Sequence, residues 1–263
     1  MTVANGDSVN AGRMGGVAAA GIIALASDQS IEDELHLLLD ENGVSLFFTR
    51  VPFEDRFDLS TLGAVAEHLE GGSRTLPPGD AVDVMVYGCT SGTVAAGERM
   101  IVERLATHRP GKRSTNPLTA AKAALRHLSA RRIGLLTPYP RDVHSAFVHA
   151  LAVEFELVRT RCLGIDVDGE ISRVSPDAIL DASRPLAVEV DAVFLSCTSL
   201  RLARSIDRFE AELGVPVVTS NQALAWHILQ LVGRRADMPF GALMSRPAAK
   251  DRTQSREGSR SVR

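Results

Sequence analysis

The chain has 263 residues, is 45% hydrophobic and 23% charged, and carries three cysteines and a formal net charge of −3. This composition excludes an intrinsically disordered protein and a protein that binds nucleic acid through bulk positive charge. The sequence contains no run of about 18 apolar residues and no secretory signal pattern, and an odd cysteine count does not indicate a disulfide framework. We therefore expect a globular, cytoplasmic protein with no membrane partner.

The two ends of the chain differ from its interior. Residues 1–20 are expected to form a flexible N-terminal segment. Residues 245–263 hold six basic and two acidic side chains and almost no large apolar ones, which predicts a disordered basic tail. Such a tail can contact nucleic acid, but a solvated end is the simpler interpretation, so we expect no nucleic-acid partner.

Short runs rich in Val, Ile and Leu alternate with segments of helical period between these ends. Near-continuous apolar strands are typical of a parallel sheet that is covered on both faces. Their alternation with helices predicts an α/β fold of the doubly wound kind. The predicted strands are, in chain order, 21–26, 44–48, 82–87, 133–137, 157–162, 192–195 and 215–218. The predicted N-terminal capping residues are Ser30, Ser60, Ser175 and Asn221.

An internal repeat is the strongest organisational signal. Residues 83–91 (DVMVYGCTS) and 191–199 (DAVFLSCTS) align without gaps at an offset of 108. The strands that precede them follow nearly the same offset. We therefore predict two pseudo-symmetric Rossmann-like lobes with parallel sheets, over 21–125 and 126–233, and an active site in the cleft between them.

Each copy of the repeat ends in Cys-Thr-Ser at the carboxyl end of a strand, before a predicted helix. Ligands of open α/β sheets bind at this edge, where helix N-termini present N–H groups. We expect the field of the helix to lower each cysteine pKa from about 8.5 and the Thr-Ser pairs to hold a carboxylate. A cysteine can also be a small buried hydrophobe, which is our interpretation of Cys162. The repeated triplets are Cys89-Thr90-Ser91 and Cys197-Thr198-Ser199.

Two facing lobes would put the two sulfurs on opposite sides of one cleft. A thiolate on one side and a thiol on the other can remove a proton from carbon and return one from the far face. The same thiolate can instead add to a carbon–carbon double bond. Neither route needs a metal or cofactor, and we expect none, because the histidines lack metal-ligand spacing and 88–92 lacks the lysine of a phosphate loop.

Four segments carry a resemblance to a known family: YGCTSGTVA at 87–95, LTPY at 136–139, SCTS at 196–199 and PVVTSNQALAWH at 216–227. They resemble the aspartate/glutamate racemase superfamily, in the branch that contains maleate cis–trans isomerases and arylmalonate decarboxylases. Within that branch the chain is most similar to the ectoine-utilisation proteins. The resemblance covers about 21–233 and implies a cofactor-independent isomerase of a small carboxylate that forms a homo-oligomer.

The resemblance also implies roles for individual residues. Cys89 and Cys197 would flank the substrate, the backbone around Thr90, Ser91 and Thr198 would hold a carboxylate, and Tyr139 would contact the substrate. Arylmalonate decarboxylases need only the cysteine of the second half. Retention of both cysteines therefore favours racemase or isomerase chemistry.

Two acidic residues depart from the pattern of maleate isomerases, which commonly carry asparagine where this chain has Asp28 and Asp168. A carboxylate there would repel a second carboxylate of a substrate and accept hydrogen bonds from an ammonium group. We therefore expect an amino acid or acylated diamino acid as substrate, as a role in ectoine degradation implies. In the simpler interpretation, Asp28 only caps the first helix, in competition with Ser30.

Three alternatives to this function stay open. In a maleate cis–trans isomerase, a cysteine would act on the carbon–carbon double bond of a dicarboxylate. In an arylmalonate-type decarboxylase, only Cys197 would return a proton to the substrate. In a non-catalytic ligand-binding module, both cysteines would react as ordinary thiols.

Overall fold

The computed structural model of the protein describes residues 18–39 and 42–245. Its strands are β1 (Ala18–Leu25), β2 (Val44–Val51), β3 (Val84–Tyr87), β4 (Arg113–Thr115), β5 (Arg132–Thr137), β6 (Glu156–Cys162), β7 (Ala192–Leu195) and β8 (Val217–Thr219). Its helices are α1 (Ile31–Leu39), α2 (Leu59–Ala64), α3 (Leu69–Thr75), α4 (Thr90–Ala96), α5 (Glu98–His108), α6 (Pro117–His127), α7 (Arg141–Ala152), α8 (Asp168–Ile171), α9 (Pro176–Ser183), α10 (Ile206–Leu213), α11 (Ser220–Leu231) and α12 (Gly241–Ser245).

The strands form two four-stranded sheets of the same topology. The first has the order β2-β1-β3-β4 and the second the order β6-β5-β7-β8, and the strands within each sheet pair in parallel. Each strand of the first sheet thus has an equivalent in the second. The predicted α/β fold with two pseudo-symmetric Rossmann-like lobes is confirmed.

The sequence predicted seven of the eight strands, in the correct order along the chain. β1 begins at Ala18, three residues before the predicted start, and β8 starts two residues after it. The short strand β4 was missed, because its sequence Arg-Ser-Thr has no apolar run and it lies at the edge of its sheet. The predicted lobe boundary at 125–126 falls inside α6, and the segments 1–17 and 246–263 lie outside the described residues, so the domain limits stay predictions.

The N-terminal capping residues of the helices differ from the predicted ones in three of four cases. Ser175 caps α9 as expected. The first N–H groups of α1 are bound by Asp28 rather than Ser30, α2 is capped by Asp58 rather than Ser60, and α11 is capped by Thr219 rather than Asn221. In each corrected case the side chain that accepts those N–H bonds lies two positions upstream of the predicted residue.

The core runs through both lobes as one apolar cluster. Every residue of β1 is buried, and so is β5 except for its first residue. Each fully buried large aliphatic side chain contributes about 1.5–3 kcal/mol relative to exposure. The helices α6 and α11, which follow the equivalent strands β4 and β8, pack against each other and join the lobes.

None of the helices in the described part of the chain combines the length and the apolar character that a membrane span requires.

Candidate active site

The two repeated cysteines lie at equivalent strand ends and are both buried free thiols. Cys89 follows β3 and caps α4, and its Sγ accepts the Gly92 N–H at 3.2 Å. Cys197 follows β7, and its Sγ accepts the Ser199 N–H at 3.4 Å. Its φ of 151° lies in a region that favours glycine. Cys162, the third free thiol, ends the edge strand β6.

The second Cys-Thr-Ser does not lead into an α-helix as predicted. A turn and a 3-10 helix at Ala203–Ser205 separate it from α10. The turn is held by the Asn221 side chain, whose Nδ2 donates to the Thr198 carbonyl at 2.8 Å. Only Cys89 therefore sits at a helix N-terminus, so the two cysteines have different backbone surroundings.

Hydrogen bonds between the lobes hold the two cysteine loops face to face. The Thr90 hydroxyl donates to Ser220 Oγ at 3.0 Å, and the same oxygen accepts the Cys197 N–H at 3.0 Å. The Thr198 hydroxyl donates to the Gly88 carbonyl at 3.3 Å. The hydroxyls of Thr90 and Thr198 are therefore occupied by the interface, and the groups left for a substrate are backbone N–H groups and the Ser91 hydroxyl, whose Oγ is 3.5 Å from Cys89 Sγ.

Tyr139 is the side chain that lies beside both thiols. Burial raises its pKa well above 10, and the charges of the Cys197 and Cys89 thiolates would raise it further. Its ring stacks on Phe147 at a centroid distance of 5.3 Å and meets Phe57 of the first lobe edge-on at 5.0 Å. The phenol therefore stays protonated and is fixed as a hydrogen-bond donor next to the sulfurs.

The two predicted acidic residues also reach this site from different lobes. Asp168 begins α8 and is buried; its Oδ2 accepts the Ser27 hydroxyl at 2.7 Å and its Oδ1 accepts the Ser199 hydroxyl. Asp28 follows β1, and its Oδ1 accepts the N–H groups of Ser30 at 2.8 Å and Ile31 at 2.9 Å. Asp28 therefore does cap α1, as the simpler interpretation holds, but with only one of its oxygens.

The other oxygen, Asp28 Oδ2, is buried and has no hydrogen-bond partner of normal geometry among the described residues. The nearby Thr198 hydroxyl lowers the pKa of Asp28, but burial outweighs it and raises the pKa. Arg50 donates to the Asp28 carbonyl at 2.6 Å and pairs with Glu32 at 2.5 Å. Its charge is the weakest of the influences on the Asp28 carboxyl.

Charge in the site disfavours the thiolates. Burial, followed by the charge of Asp28, raises the pKa of Asp168 to about 6. Burial raises the pKa of Cys89 to about 11, although Ser91 and Gly92 donate to its sulfur. Burial and then the Asp168 charge raise the pKa of Cys197 well above 9. The predicted lowering of both cysteine pKa values is wrong, because desolvation and the acid pair outweigh the field of a helix end.

The structure thus gathers all nine predicted residues around one point. These are Asp28, Cys89, Thr90, Ser91, Tyr139, Asp168, Cys197, Thr198 and Ser199. Their roles toward a substrate stay predictions, as does the absence of a cofactor. Sequence reasoning missed Ser27, Tyr87 and Ser220 and gave Asn221 a different role. Ser220 and Asn221 lie in the segment 216–227, which carries part of the family resemblance and could have pointed to them as site residues.

Comparison with known proteins identifies a matching family and related sequences. The model of a family described as arylmalonate decarboxylase matches residues 91–243. The maleate isomerase of Nocardia farcinica is 27% identical over 238 residues, which are 85% of this chain and 92% of that protein. The arylmalonate decarboxylase of Bordetella bronchiseptica is 35% identical over 124 residues, 45% of this chain and 51% of that protein.

Solved structures share the fold. The Nocardia farcinica maleate cis–trans isomerase with a covalently bound succinylcysteine intermediate has a TM-score of 0.80 at 23% identity, over 88% of this chain and 99% of that chain. An arylmalonate decarboxylase structure has a TM-score of 0.69 at 24% identity, over 86% of this chain and 98% of that chain.

Proposed function

Because this chain belongs to the arylmalonate decarboxylase family, we propose that it is a cofactor-independent racemase or isomerase of a small carboxylate that works through Cys89 and Cys197. The observation that carries this proposal is the pair of buried thiols at equivalent strand ends, held face to face through Ser220. The similarity to the maleate isomerase of Nocardia farcinica over most of both chains supports an isomerase.

The proposed mechanism moves a proton across the cleft. One cysteine, as thiolate, takes the proton from the carbon next to the substrate carboxylate, and the electron pair passes into that carboxylate as an enediolate. The thiol of the other cysteine returns a proton to the opposite face and is left as thiolate. Backbone N–H groups at Ser91 and Thr198 would hold the carboxylate, and Tyr139 would stabilise either thiolate by donating to sulfur.

We further propose that the substrate carries an amino group, as an amino acid or an acylated diamino acid does. Asp28 and Asp168 are buried next to Cys197, and no Lys or Arg side chain forms an ion pair with either among the described residues. Two charges about 6 Å apart at an effective dielectric of about 20 interact by about 3 kcal/mol. An ammonium group would gain that attraction and reduce the field that opposes the thiolate, whereas a second carboxylate would be repelled.

A role in ectoine degradation is consistent with such a substrate and rests on the resemblance to the ectoine-utilisation proteins. The same resemblance supports a cytoplasmic homo-oligomer with two lobes over 21–125 and 126–233. Light scattering of the purified chain tests the oligomer.

Direct turnover assays test the substrate class. The purified enzyme is incubated with each enantiomer of N-acetyl-diaminobutyrate and, separately, with maleate, in deuterated water. We expect loss of optical purity and deuterium at the reacting carbon only with the amino substrate. Efficient isomerisation of maleate would overturn the proposed substrate class while leaving the two-cysteine mechanism in place.

Single cysteine replacements test the mechanism. Cys89→Ser and Cys197→Ser should each abolish turnover, and Cys162→Ser, the matched control outside the site, should not. Loss only with Cys197→Ser would indicate decarboxylation, in which a carboxylate leaves as carbon dioxide and one thiol reprotonates the enediolate. No loss with either, together with ordinary reactivity of both thiols, would indicate a ligand-binding module.

Maleate isomerisation is the second candidate, favoured by the 27% identity to the Nocardia farcinica maleate isomerase across 92% of that protein. In that reaction one thiolate would add to the double bond, rotation about the resulting single bond would follow, and elimination would release the sulfur. The acid pair would have to be protonated to accept a second carboxylate. Since the pKa of Asp168 is about 6, the KM for maleate should fall as pH falls from 7 through 6.

A further inference from the structure

Tyr87 is a buried phenol to which the mechanism above gives no role. It is the last residue of β3, two residues before Cys89, and is fully buried. Its hydroxyl has no hydrogen-bond partner of normal geometry among the described residues. A buried hydroxyl without a partner destabilises a fold, and phenylalanine would fill the same space without that penalty. The hydroxyl therefore calls for an explanation other than stability.

The surroundings of Gly92 show what lies near the Tyr87 hydroxyl. A methyl group added at Gly92 would lie 2.1 Å from Tyr87 Oη and 3.1 Å from Cys89 Sγ. Oxygen and sulfur thus both lie against one small space that only glycine leaves open. The Gly92 N–H also donates to the same sulfur at 3.2 Å, so the sulfur already has one donor and the phenol is placed to become the next.

The relation between the phenol and this cysteine is specific. The groups that influence Tyr87 are its own burial and Cys89, and the Tyr87 hydroxyl lowers the pKa of the Cys89 thiol. Tyr139, in contrast, lies beside both sulfurs. Because burial keeps the Tyr87 phenol protonated, it can always donate, and a thiolate is a stronger acceptor than a thiol.

We propose that Tyr87 is a positioning residue for Cys89: when this cysteine ionises, the phenol hydroxyl turns to its sulfur and stabilises the thiolate. The hydrogen bond that is missing in the thiol state is then formed in the reactive state. This inference rests on the proposed two-cysteine function, in which each sulfur must become a thiolate in one direction of the reaction. It gives Cys89 a phenol donor of its own, as Tyr139 is the phenol that donates to Cys197.

Alkylation of the full-length protein tests the inference without any substrate. Wild type and Tyr87→Phe are treated with iodoacetamide over a range of pH, and the modification of Cys89 and Cys197 is read from separate peptides by mass spectrometry. We expect Tyr87→Phe to move the Cys89 profile to higher pH, with about tenfold slower alkylation at fixed pH. The Cys197 profile should stay in place, and the melting temperature should be unchanged or higher.

Matched variants separate this role from a structural one. Tyr139→Phe, the other tyrosine of the chain, should shift the Cys197 profile instead, because its hydroxyl donates to that sulfur. An unchanged Cys89 profile in Tyr87→Phe would overturn the inference, and so would an equal shift of Cys197 or a lower melting temperature with unchanged profiles. Because alkylation does not depend on turnover, a failure here is distinct from failure of the proposed function, which the cysteine replacements test.

With an active substrate in hand, the pH dependence of turnover provides a second readout. Tyr87→Phe should lower kcat/KM by about tenfold at fixed pH and move its pH profile to higher pH, by the same factor in both directions because the equilibrium constant fixes the ratio of the two kcat/KM values. An unchanged pH profile of kcat/KM together with unchanged Cys89 alkylation would overturn the inference.

Discussion

The hydroxyl of Ser27 in the first lobe donates to Asp168 Oδ2 of the second lobe at 2.7 Å. This bond holds the buried Asp168 carboxylate of the second lobe just beyond the carboxyl end of β1 in the first lobe. The carboxylate lies there next to Asp28 and the two thiols. The acid pair therefore exists only where the lobes meet. Its charge adds to the effect of burial in raising the pKa of Cys197.

Replacing Asp168 should make Cys197 more reactive. Asp168→Asn removes the largest charge that raises the pKa of this thiol, so alkylation of Cys197 at pH 8 should become several-fold faster. The matched control is Asp166→Asn, an exposed carboxylate that pairs with Arg56 at 2.6 Å. Equal rates in wild type and Asp168→Asn would contradict the role of the acid pair.

The same substitution should change substrate preference. Asn at position 168 can no longer attract an ammonium group but can donate to a carboxylate. We expect Asp168→Asn to lose activity toward the amino substrate and to gain activity toward maleate, measured as the ratio of the two kcat/KM values. An unchanged ratio would indicate that the acid pair does not contact the substrate.

Folding stability should depend on the ionisation of Asp168. Its pKa is raised from 3.8 to about 6 in the folded state, so the folded protein binds the proton more tightly than the unfolded chain. This group therefore makes the free energy of unfolding fall as pH rises from about 4 to 6. Between pH 5 and pH 7 its contribution should decrease by about 1 kcal/mol. Urea unfolding of wild type and Asp168→Asn at both pH values measures the free energy of unfolding, whose decrease from pH 5 to pH 7 should be about 1 kcal/mol smaller in the variant.

Ser220 should be needed for both stability and activity. Its Oγ accepts hydrogen bonds from Thr90 and from the Cys197 N–H. Ser220→Ala leaves both donors buried and unpaired, so the free energy of unfolding should fall by about 1–3 kcal/mol. Turnover should fall as well, because the Cys197 loop loses its fixed position. Ser145→Ala, on the exposed face of α7, is the control that should change neither.

Gly92 should not tolerate a side chain. The methyl group of Gly92→Ala would lie 2.1 Å from Tyr87 Oη, and such overpacking costs about 1–3 kcal/mol. Gly71→Ala in α3 is the matched control, since a methyl there meets no atom within 4 Å and should stabilise the helix by about 0.5–1 kcal/mol. Thermal unfolding of both variants compares them. A Gly92→Ala variant as stable as wild type would mean that the Tyr87 ring can move aside.

Much of the site could be located from the sequence, because the signals that locate it are local. A strand of apolar residues followed by Cys-Thr-Ser places Cys89 and Cys197 at strand ends, and the repeat predicts that the two ends are equivalent. The edge strand β4 and the caps at Asp58 and Thr219 could not be predicted as well, and for the first helix the sequence left Asp28 and Ser30 in competition. Residue types do not determine whether a short polar run pairs with a strand of the sheet. They also do not determine which of two nearby side chains accepts a helix N–H bond, because both depend on local geometry.

The sequence by itself determined seven of the eight strands in their order along the chain. It also determined the duplication and the residues that the duplication places at the strand ends. These features could be predicted because periodicity and repeats are patterns along the chain. Only the tertiary structure decided the charge state of the site. The sequence predicted low cysteine pKa values from a helix end, whereas burial and the approach of Asp28 and Asp168 from different lobes raise them. Desolvation and charge interactions depend on distances in space between residues far apart in the chain, and these distances exist only once the two lobes have met.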